Sequence, residues 1–255
     1  MRFSKWHALG NSYLLVERTE LGRALEPGQA RLLCDTRDGI GADGVLEVVS
    51  VDGAHAEVAI WNPDGSTAEF SGNGTRIAAA WLMERSGAAG VSVGVAGRDY
   101  QATRSGDEIA MELGPVEVSA PERIVVAGVE IELTPVSVGN PHAVVRRDSD
   151  RDDLLRLGPL LERHERFPDR TNVQLIRIDG THDVSALVWE RGAGETSASG
   201  SSAVAAAAAA IANGWCESPV TVHMLGGDLG VELDDSGRAT LTGPAEPICS
   251  GETVD

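Results

Sequence analysis

Trp61-Asn62-Pro63-Asp64-Gly65-Ser66, followed by Ser71-Gly72-Asn73-Gly74-Thr75-Arg76 and the alanine-rich run Ile77-Ala78-Ala79-Ala80, decides the fold, because the chain writes this pattern twice. Trp189-Glu190 precedes Ser199-Gly200 and a second alanine run, Ala205 to Ala210, and every matched pair is separated by the same offset. Upstream the offset recurs to within one residue. Gly10-Asn11 before Leu14-Leu15-Val16 matches Gly139-Asn140 before Ala143-Val144-Val145, and Asp43 before Val45-Leu46 matches Asn172 before Val173-Gln174-Leu175. Self-similarity at a fixed period marks a repeated architecture. Three matches in one order imply two homologous halves.

Local patterns give each half the same parts. Val45 to Val51, Ala56 to Trp61, Val91 to Val95 and Ile124 to Val126 are short, rich in branched residues and bounded by Gly, Asp or Pro, which predicts strands. Thr75 to Arg85 and Ser202 to Asn213 are Ala-rich and free of Pro and internal Gly, which predicts helices, with Gly87 and Gly214 just past their ends. Gln29 to Thr36 and Asp152 to Arg166 are further helix candidates, the second expected to break near Gly158-Pro159. Each half is then several strands around one dominant helix, whose small side chains suit close wrapping. The expected division is 1–114 and 115–242, with a crossover at Leu113 to Val118. The segment 243–255 is expected to return to the first half through the Gly243-Pro244 turn.

Composition narrows the function. The formal net charge of −18 is spread along the 255 residues, a surface that repels phosphate backbones, so nucleic acid is excluded as a partner. No apolar run is long enough for a bilayer, and the opening residues lack the apolar stretch of a secretion signal. The expectation is a cytoplasmic protein with no membrane partner. Cys34, Cys216 and Cys249 are odd in number and widely spaced, and the six histidines are dispersed, so neither disulfides nor a metal site is expected.

The chemistry sits where Ser-Gly opens each helix. First-turn N–H groups lack helical partners and carry the positive end of the macrodipole, so a helix start is a ready anion site. Two such starts, related by pseudo-symmetry and facing one another across a cleft, would hold a substrate α-carboxylate from both sides. The same N–H groups would then stabilise charge that develops when the adjacent Cα loses its proton. Alternatively Ser71, Asn73 and Ser199 simply cap their helices. Asn11, Asn62, Asn140 and Asn172 stand at matched strand ends, as polar fingers around a shared ligand or, singly, as turn residues.

Phe3-Ser4-Lys5 with His7-Ala8-Leu9-Gly10-Asn11 resembles the opening of diaminopimelate epimerases. So do Asn62 to Ser66, Ser71 to Arg76, Val138-Gly139-Asn140-Pro141-His142, Arg170-Thr171-Asn172-Val173, Glu190 to Thr196 and Gly243-Pro244-Ala245, all in family order. The resemblance implies an α+β fold of two pseudo-symmetric halves, each a mixed strand barrel around a central Ala-rich helix. It implies inversion of an amino acid Cα (LL- to meso-diaminopimelate, toward lysine and peptidoglycan precursors) by two opposed bases without a cofactor, in a homodimer. Asn11, Asn62, Asn140, Asn172, Glu190 and Arg191 would hold the substrate. Gly72, Asn73, Gly200 and Ser201 would bind its α-carboxylate, with His142 in support.

Three positions depart from the family pattern. Its two catalytic bases are cysteines directly before those glycines; here Ser71 and Ser199 stand in the catalytic positions. A thiol has a pKa near 8.5, whereas a serine hydroxyl is far less acidic and needs a neighbour to take its proton. Gly44 stands where the family often has a glutamine reaching the substrate. Three readings follow: an epimerase whose hydroxyls are activated by His142, Glu190 or another neighbour; a silent amino-acid-binding relative; or different chemistry on the same fold, as in phenazine-biosynthesis isomerases. Gly39 to Gly44 matches G-x-G-x-x-G but has no strand before it or helix after it, so a dinucleotide site is rejected. No G-x-S-x-G elbow surrounds either serine.

Overall fold

The first hairpin already shows how turns place the polar residues. β1 (Arg2–Ala8) and β2 (Asn11–Glu17) pair antiparallel through Ala8 and Asn11. The two loop residues, Leu9 and Gly10, both have positive φ, 52° and 82°, the geometry that matches the twist of a two-residue hairpin. Asn11 is thereby fixed at the mouth of a strand. The computed structural model describes residues 1–253, which divide into two compact units: Met1–Met111 with the segment from Thr242 onward, and Glu112–Leu241.

In the first unit the chain leaves β2 through α1 (Arg18–Leu21) and α2 (Pro27–Cys34), then enters β3 (Val45–Asp52), which pairs parallel to β2 from Leu14↔Val45 to Glu17↔Val48. Both faces of this pair are covered, which is why the sequence reads as apolar runs rather than alternation. Leu14, Val16 and Val45 pack with Leu25, Ala30 and Cys34 on the α2 side. β4 (His55–Trp61) returns antiparallel, β5 (Thr67–Ala68) pairs with its end, and α3 (Gly72–Ser86) follows. β6 (Gly90–Val95) lies parallel to the first half of β4, then β7 (Arg98–Ser105) and β8 (Glu108–Pro115) follow, and the unit ends within β8 at Met111.

The second unit repeats this plan. β9 (Glu117–Val118), β10 (Glu122–Val126) and β11 (Val129–Ser137) lead into β12 (Pro141–Arg146), α4 (Arg151–Glu162) and β13 (Asn172–Gly180), with β12 and β13 parallel. β14 (Asp183–Glu190) pairs antiparallel with β13, and then with β15 (Gly194–Thr196). After α5 (Gly200–Ala212), β16 (Val220–Met224) lies parallel to β14, and β17 (Gly227–Leu233) and β18 (Arg238–Gly243) follow. The last strand, β19 (Glu246–Glu252), pairs antiparallel with β1. The architecture is the expected α+β fold of two repeated halves. No helix among the described residues is long and apolar enough to cross a membrane.

Wrapping explains the alanines. α5 packs against β11, β12, β13, β14, β16 and β17, and α3 against β1, β2, β4, β6 and β7. A helix approached from every side has no solvent face, and Ala203 and Ala205 through Ala210 are all 0% exposed. α3 emerges at its far end, where Glu84, Arg85 and Ser86 are exposed. Gly87 closes α3 in the left-handed region, and Gly214 (φ 69°) stands one residue past the end cap of α5.

Three expectations shift. α2 starts at Pro27, two residues early, because Glu26 and Gln29 form a reciprocal capping box there. α3 and α5 begin at Gly72 and Gly200, a turn or part of one earlier than the alanine runs. α4 runs through Gly158-Pro159 rather than breaking, and ends at Glu162. Proline removes only the bond to the Leu155 carbonyl, on a part-exposed side of the helix. Gly158 lies under the Trp189 indole, which a Cβ would approach to 2.7 Å. The glycines of the rejected nucleotide pattern are likewise matters of packing: a Cβ on Gly39 would lie 1.8 Å from the Leu32 carbonyl oxygen.

Ala207→Leu should destabilise the second unit by about 1–3 kcal/mol through overpacking, seen as a lower urea midpoint. The same change at exposed Glu84 should be near neutral.

Candidate active site

Ser71 and Ser199 occupy equivalent N-cap positions with nearly identical extended backbones (φ −141°, ψ 117° and φ −144°, ψ 121°). Their hydroxyls do different things. Ser71 Oγ accepts from the Gly74 N–H at 3.1 Å, a conventional cap, and lies 3.0 Å from the Tyr13 hydroxyl. Ser199, only 5% exposed, makes no cap bond. Its hydroxyl is instead near enough to the Glu190 carboxyl to favour that group's charged form. Burial pushes Glu190 above the usual carboxylate range, and the Ser199 hydrogen bond only partly offsets it.

The first helix start rests on a buried cation. Arg76 is fully buried, and desolvation draws its pKa down to about 10, which still leaves it charged. Its guanidinium donates through Nη2 to Asn73 Oδ1 at 3.0 Å and through Nε to the Pro244 carbonyl at 3.2 Å. Asn73 in turn donates to Asn11 Oδ1 at 3.4 Å. Gly72, Asn73 and Gly74 are all buried, so their backbone sits in low dielectric, where a fixed positive charge acts strongly on an anion.

The other asparagines divide. Asn62 donates to Ser66 Oγ at 2.9 Å, while its backbone accepts from Gly65, so its side chain braces its own turn. Asn172 is also committed to the protein: Nδ2 donates to the Pro141 carbonyl at 3.0 Å and Oδ1 accepts the Arg191 N–H at 2.9 Å. It therefore ties the start of β12 to the turn after β14. Arg170, two residues earlier, has φ 62°, a strained conformation for a side-chain-bearing residue. The Arg191 guanidinium reaches the Asp169 carbonyl at 3.3 Å.

His142 is held between Asn140 and Gln174. Its Nε2 meets Asn140 Oδ1 and its Nδ1 meets Gln174 Nε2, both at 3.0 Å, and Gln174 donates on to Ser202 Oγ in α5. Both ring nitrogens are occupied, and burial drives the pKa down to about 3, so the ring is neutral. With its carbonyl engaged, Asn140 has its amide nitrogen left for a ligand. Of the two activators considered for the hydroxyls, Glu190 interacts with Ser199, while both ring nitrogens of His142 are engaged by Asn140 and Gln174.

Glu162, at the end of α4, was not singled out by sequence reasoning. It accepts from the Trp189 indole at 2.9 Å and the Gly192 N–H at 2.9 Å, with Arg170 at 3.3 Å, which pins the turn carrying Glu190 and Arg191. In the first unit Glu47, on β3, does the same for Trp61 at 3.0 Å, with Arg18 and the Leu25 N–H as its other donors. Tyr13 was also missed: within the apolar run of β2 its hydroxyl gave no signal. His55, Glu57 and Asp99 bring ligand-type atoms within 4.8 Å of one another on part-exposed strands, a clustering made by strand pairing that the linear spacing hides. Neither serine uses that cluster.

Comparison with known proteins agrees with this geometry. The Diaminopimelate epimerase family profile matches residues 3–119 and 134–248. A diaminopimelate epimerase of Magnetococcus marinus is 37% identical over 271 residues, covering 99% of this chain and 97% of its relative. Among solved structures, a probable proline racemase from Agrobacterium radiobacter K84 superposes with a TM-score of 0.73 at 15% identity, covering 99% of this chain and 92% of that one. A PhzF-family phenazine biosynthesis protein of Bacillus anthracis gives 0.72 at 14% identity, covering 100% and 99%. Those two likenesses concern the fold.

Fold and relatives together define an isomerase of the epimerase class. Within it, the chain belongs to the diaminopimelate epimerase family.

Because His142 stays neutral down to about pH 3, an unfolded chain, with an ordinary value near 6.5, binds a proton that the folded chain refuses. Stability from this group is present above about pH 6.5 and is lost as pH falls toward about 3. Urea unfolding across that window should show a slope that His142→Gln reduces by up to about 1.4 kcal/mol per pH unit.

Proposed function

We propose that the chain inverts the Cα of an amino acid without a cofactor, working on its two faces with Ser199 and Ser71. The names of its relatives make diaminopimelate the first substrate to try, LL to meso. The helix starts at Gly72-Asn73 and Gly200-Ser201 would take the α-carboxylate, with Asn11, Asn140 and Arg191 as further substrate contacts and Asn172 and Asn62 bracing the turns beside them. The setting is a cytoplasmic homodimer.

One observation supports this reading: Ser199 leaves its helix uncapped, with the Glu190 carboxyl as its acidic neighbour. A serine hydroxyl is no base unless its own proton has a destination. As Ser199 Oγ takes the Cα proton, its hydroxyl proton passes to the Glu190 carboxylate. The electron pair left on Cα spreads onto the α-carboxylate, where helix N–H groups and the buried Arg76 charge favour it. A carboxylate raised by burial is a better proton acceptor than an ordinary glutamate.

Incubation with LL- and meso-diaminopimelate in deuterated water should give Cα deuterium and inversion, read by NMR and mass spectrometry. Absence of both with either epimer, despite binding, would identify a silent amino-acid-binding relative instead. Glu190→Gln should lower kcat by about 100- to 10,000-fold. Since the base form of Glu190 is required and its pKa is raised, the acid limb of the rate profile should lie above the ordinary glutamate value near 4.3, with activity rising as pH increases. Ser71→Cys with Ser199→Cys should raise the rate, because a thiolate and a thiol of pKa near 8.5 replace two hydroxyls.

A further inference from the structure

Two of the departures from the family pattern, Ser71 and Gly44, are far apart in sequence and meet at one side chain. Tyr13 is 7% exposed on β2, and its hydroxyl lies 3.0 Å from Ser71 Oγ. Its ring covers Gly44: a Cβ there would lie 2.5 Å from Tyr13 Cε1 and 2.8 Å from the Trp61 carbonyl oxygen. We propose that Tyr13 is the proton-relay partner of Ser71, and that residue 44 is glycine because the Tyr13 ring takes the space of any side chain there. This rests on the epimerase reading above and gives that site its second proton carrier.

Hydrogen-bond valence makes the pair reversible. A hydroxyl has one proton and two lone pairs, and one lone pair of Ser71 is taken by the Gly74 N–H. When Tyr13 donates to Ser71, the Ser71 proton is left for a ligand; when Ser71 donates to Tyr13, a lone pair is left instead. An enzyme that works on both epimers needs both states. In the donating direction, the Ser71 O–H bond breaks as a C–H bond forms at the Cα carbanion, and the Tyr13 proton moves onto Ser71 Oγ. The charge ends on the phenolate, which water reprotonates. In the reverse direction Tyr13 first loses its proton to water, and the phenolate then takes one from Ser71 as Ser71 takes the one from Cα. Nothing is oxidised or reduced. A phenol, with a pKa near 10, carries that charge far more readily than an alkoxide. Tyr13 acts through Ser71 and need not touch the substrate.

A purely structural Tyr13 would fill the space over Gly44 with its ring alone, and Tyr13→Phe keeps that ring. The test follows inversion and Cα deuterium incorporation separately, for each diaminopimelate epimer, in wild type and Tyr13→Phe with matched melting curves. Inversion should fall by about 100-fold or more, with KM changed less than about threefold. The epimer whose Cα–H faces Ser199 should still exchange with solvent while failing to invert. In a Ser71→Cys background, where the thiol supplies its own acid near pKa 8.5, the loss on adding Tyr13→Phe should shrink to within about threefold. Inversion by Tyr13→Phe within about threefold of wild type overturns this inference alone, as does an equal loss in the Ser71→Cys background. A wild type that exchanges no Cα proton with either epimer overturns the epimerase reading, and this relay with it.

Discussion

The structure depends on one packing constraint: a helix enclosed by strands must be built from side chains small enough for backbone to approach from every direction. α5 meets it with a buried alanine run, and α3 meets it over its first turns with Gly72, Gly74 and Ala78 to Ala80. Enclosure is also what gives the helix starts their chemistry. An N-terminus in open water is solvated and weak, whereas one surrounded by strands keeps its dipole unscreened and its N–H groups available to a ligand. The same burial that requires alanine makes Ser199, Glu190 and Arg76 chemically unusual.

Around these starts the polar residues form a supporting layer more than a ring of fingers. Gln174, His142 and Asn140 are a ladder that begins on α5 and ends at the strand mouth. Asn172 and Glu162 lock the turn that presents Glu190 and Arg191. Glu47 and Glu162 perform one task, receiving a tryptophan indole, from a strand in one unit and a helix in the other. The repeat has kept the interaction while changing the element that supplies it.

Much of this was legible in the sequence because it depends on composition and order. The alanine runs, the Ser-Gly helix starts and the offset between matched motifs require no rotamer to interpret, and they located both halves and both serines at their helix starts. What stayed hidden depends on where a side chain turns. Ser71 and Ser199 have equivalent neighbours and the same backbone, yet one caps its helix and the other does not; no local pattern distinguishes them. Tyr13 reads as one more apolar strand residue until the Gly44 contact is seen. Asn62 and Asn172, read as ligand-binding fingers, also brace turns through bonds that the sequence does not announce. The expected break at Gly158-Pro159 failed because the glycine serves the Trp189 indole and the helix loses only one bond at the proline.

The unequal surroundings of the two serines have a thermodynamic corollary. On the proposed mechanism, with a carboxylate behind one hydroxyl and a phenol behind the other, the forward and backward passages start from differently charged resting forms. The equilibrium between the epimers belongs to the molecules alone and is indifferent to the protein. On that mechanism the ratio of the two kcat/KM values equals this fixed constant, so an asymmetry in turnover is matched by a compensating asymmetry in KM.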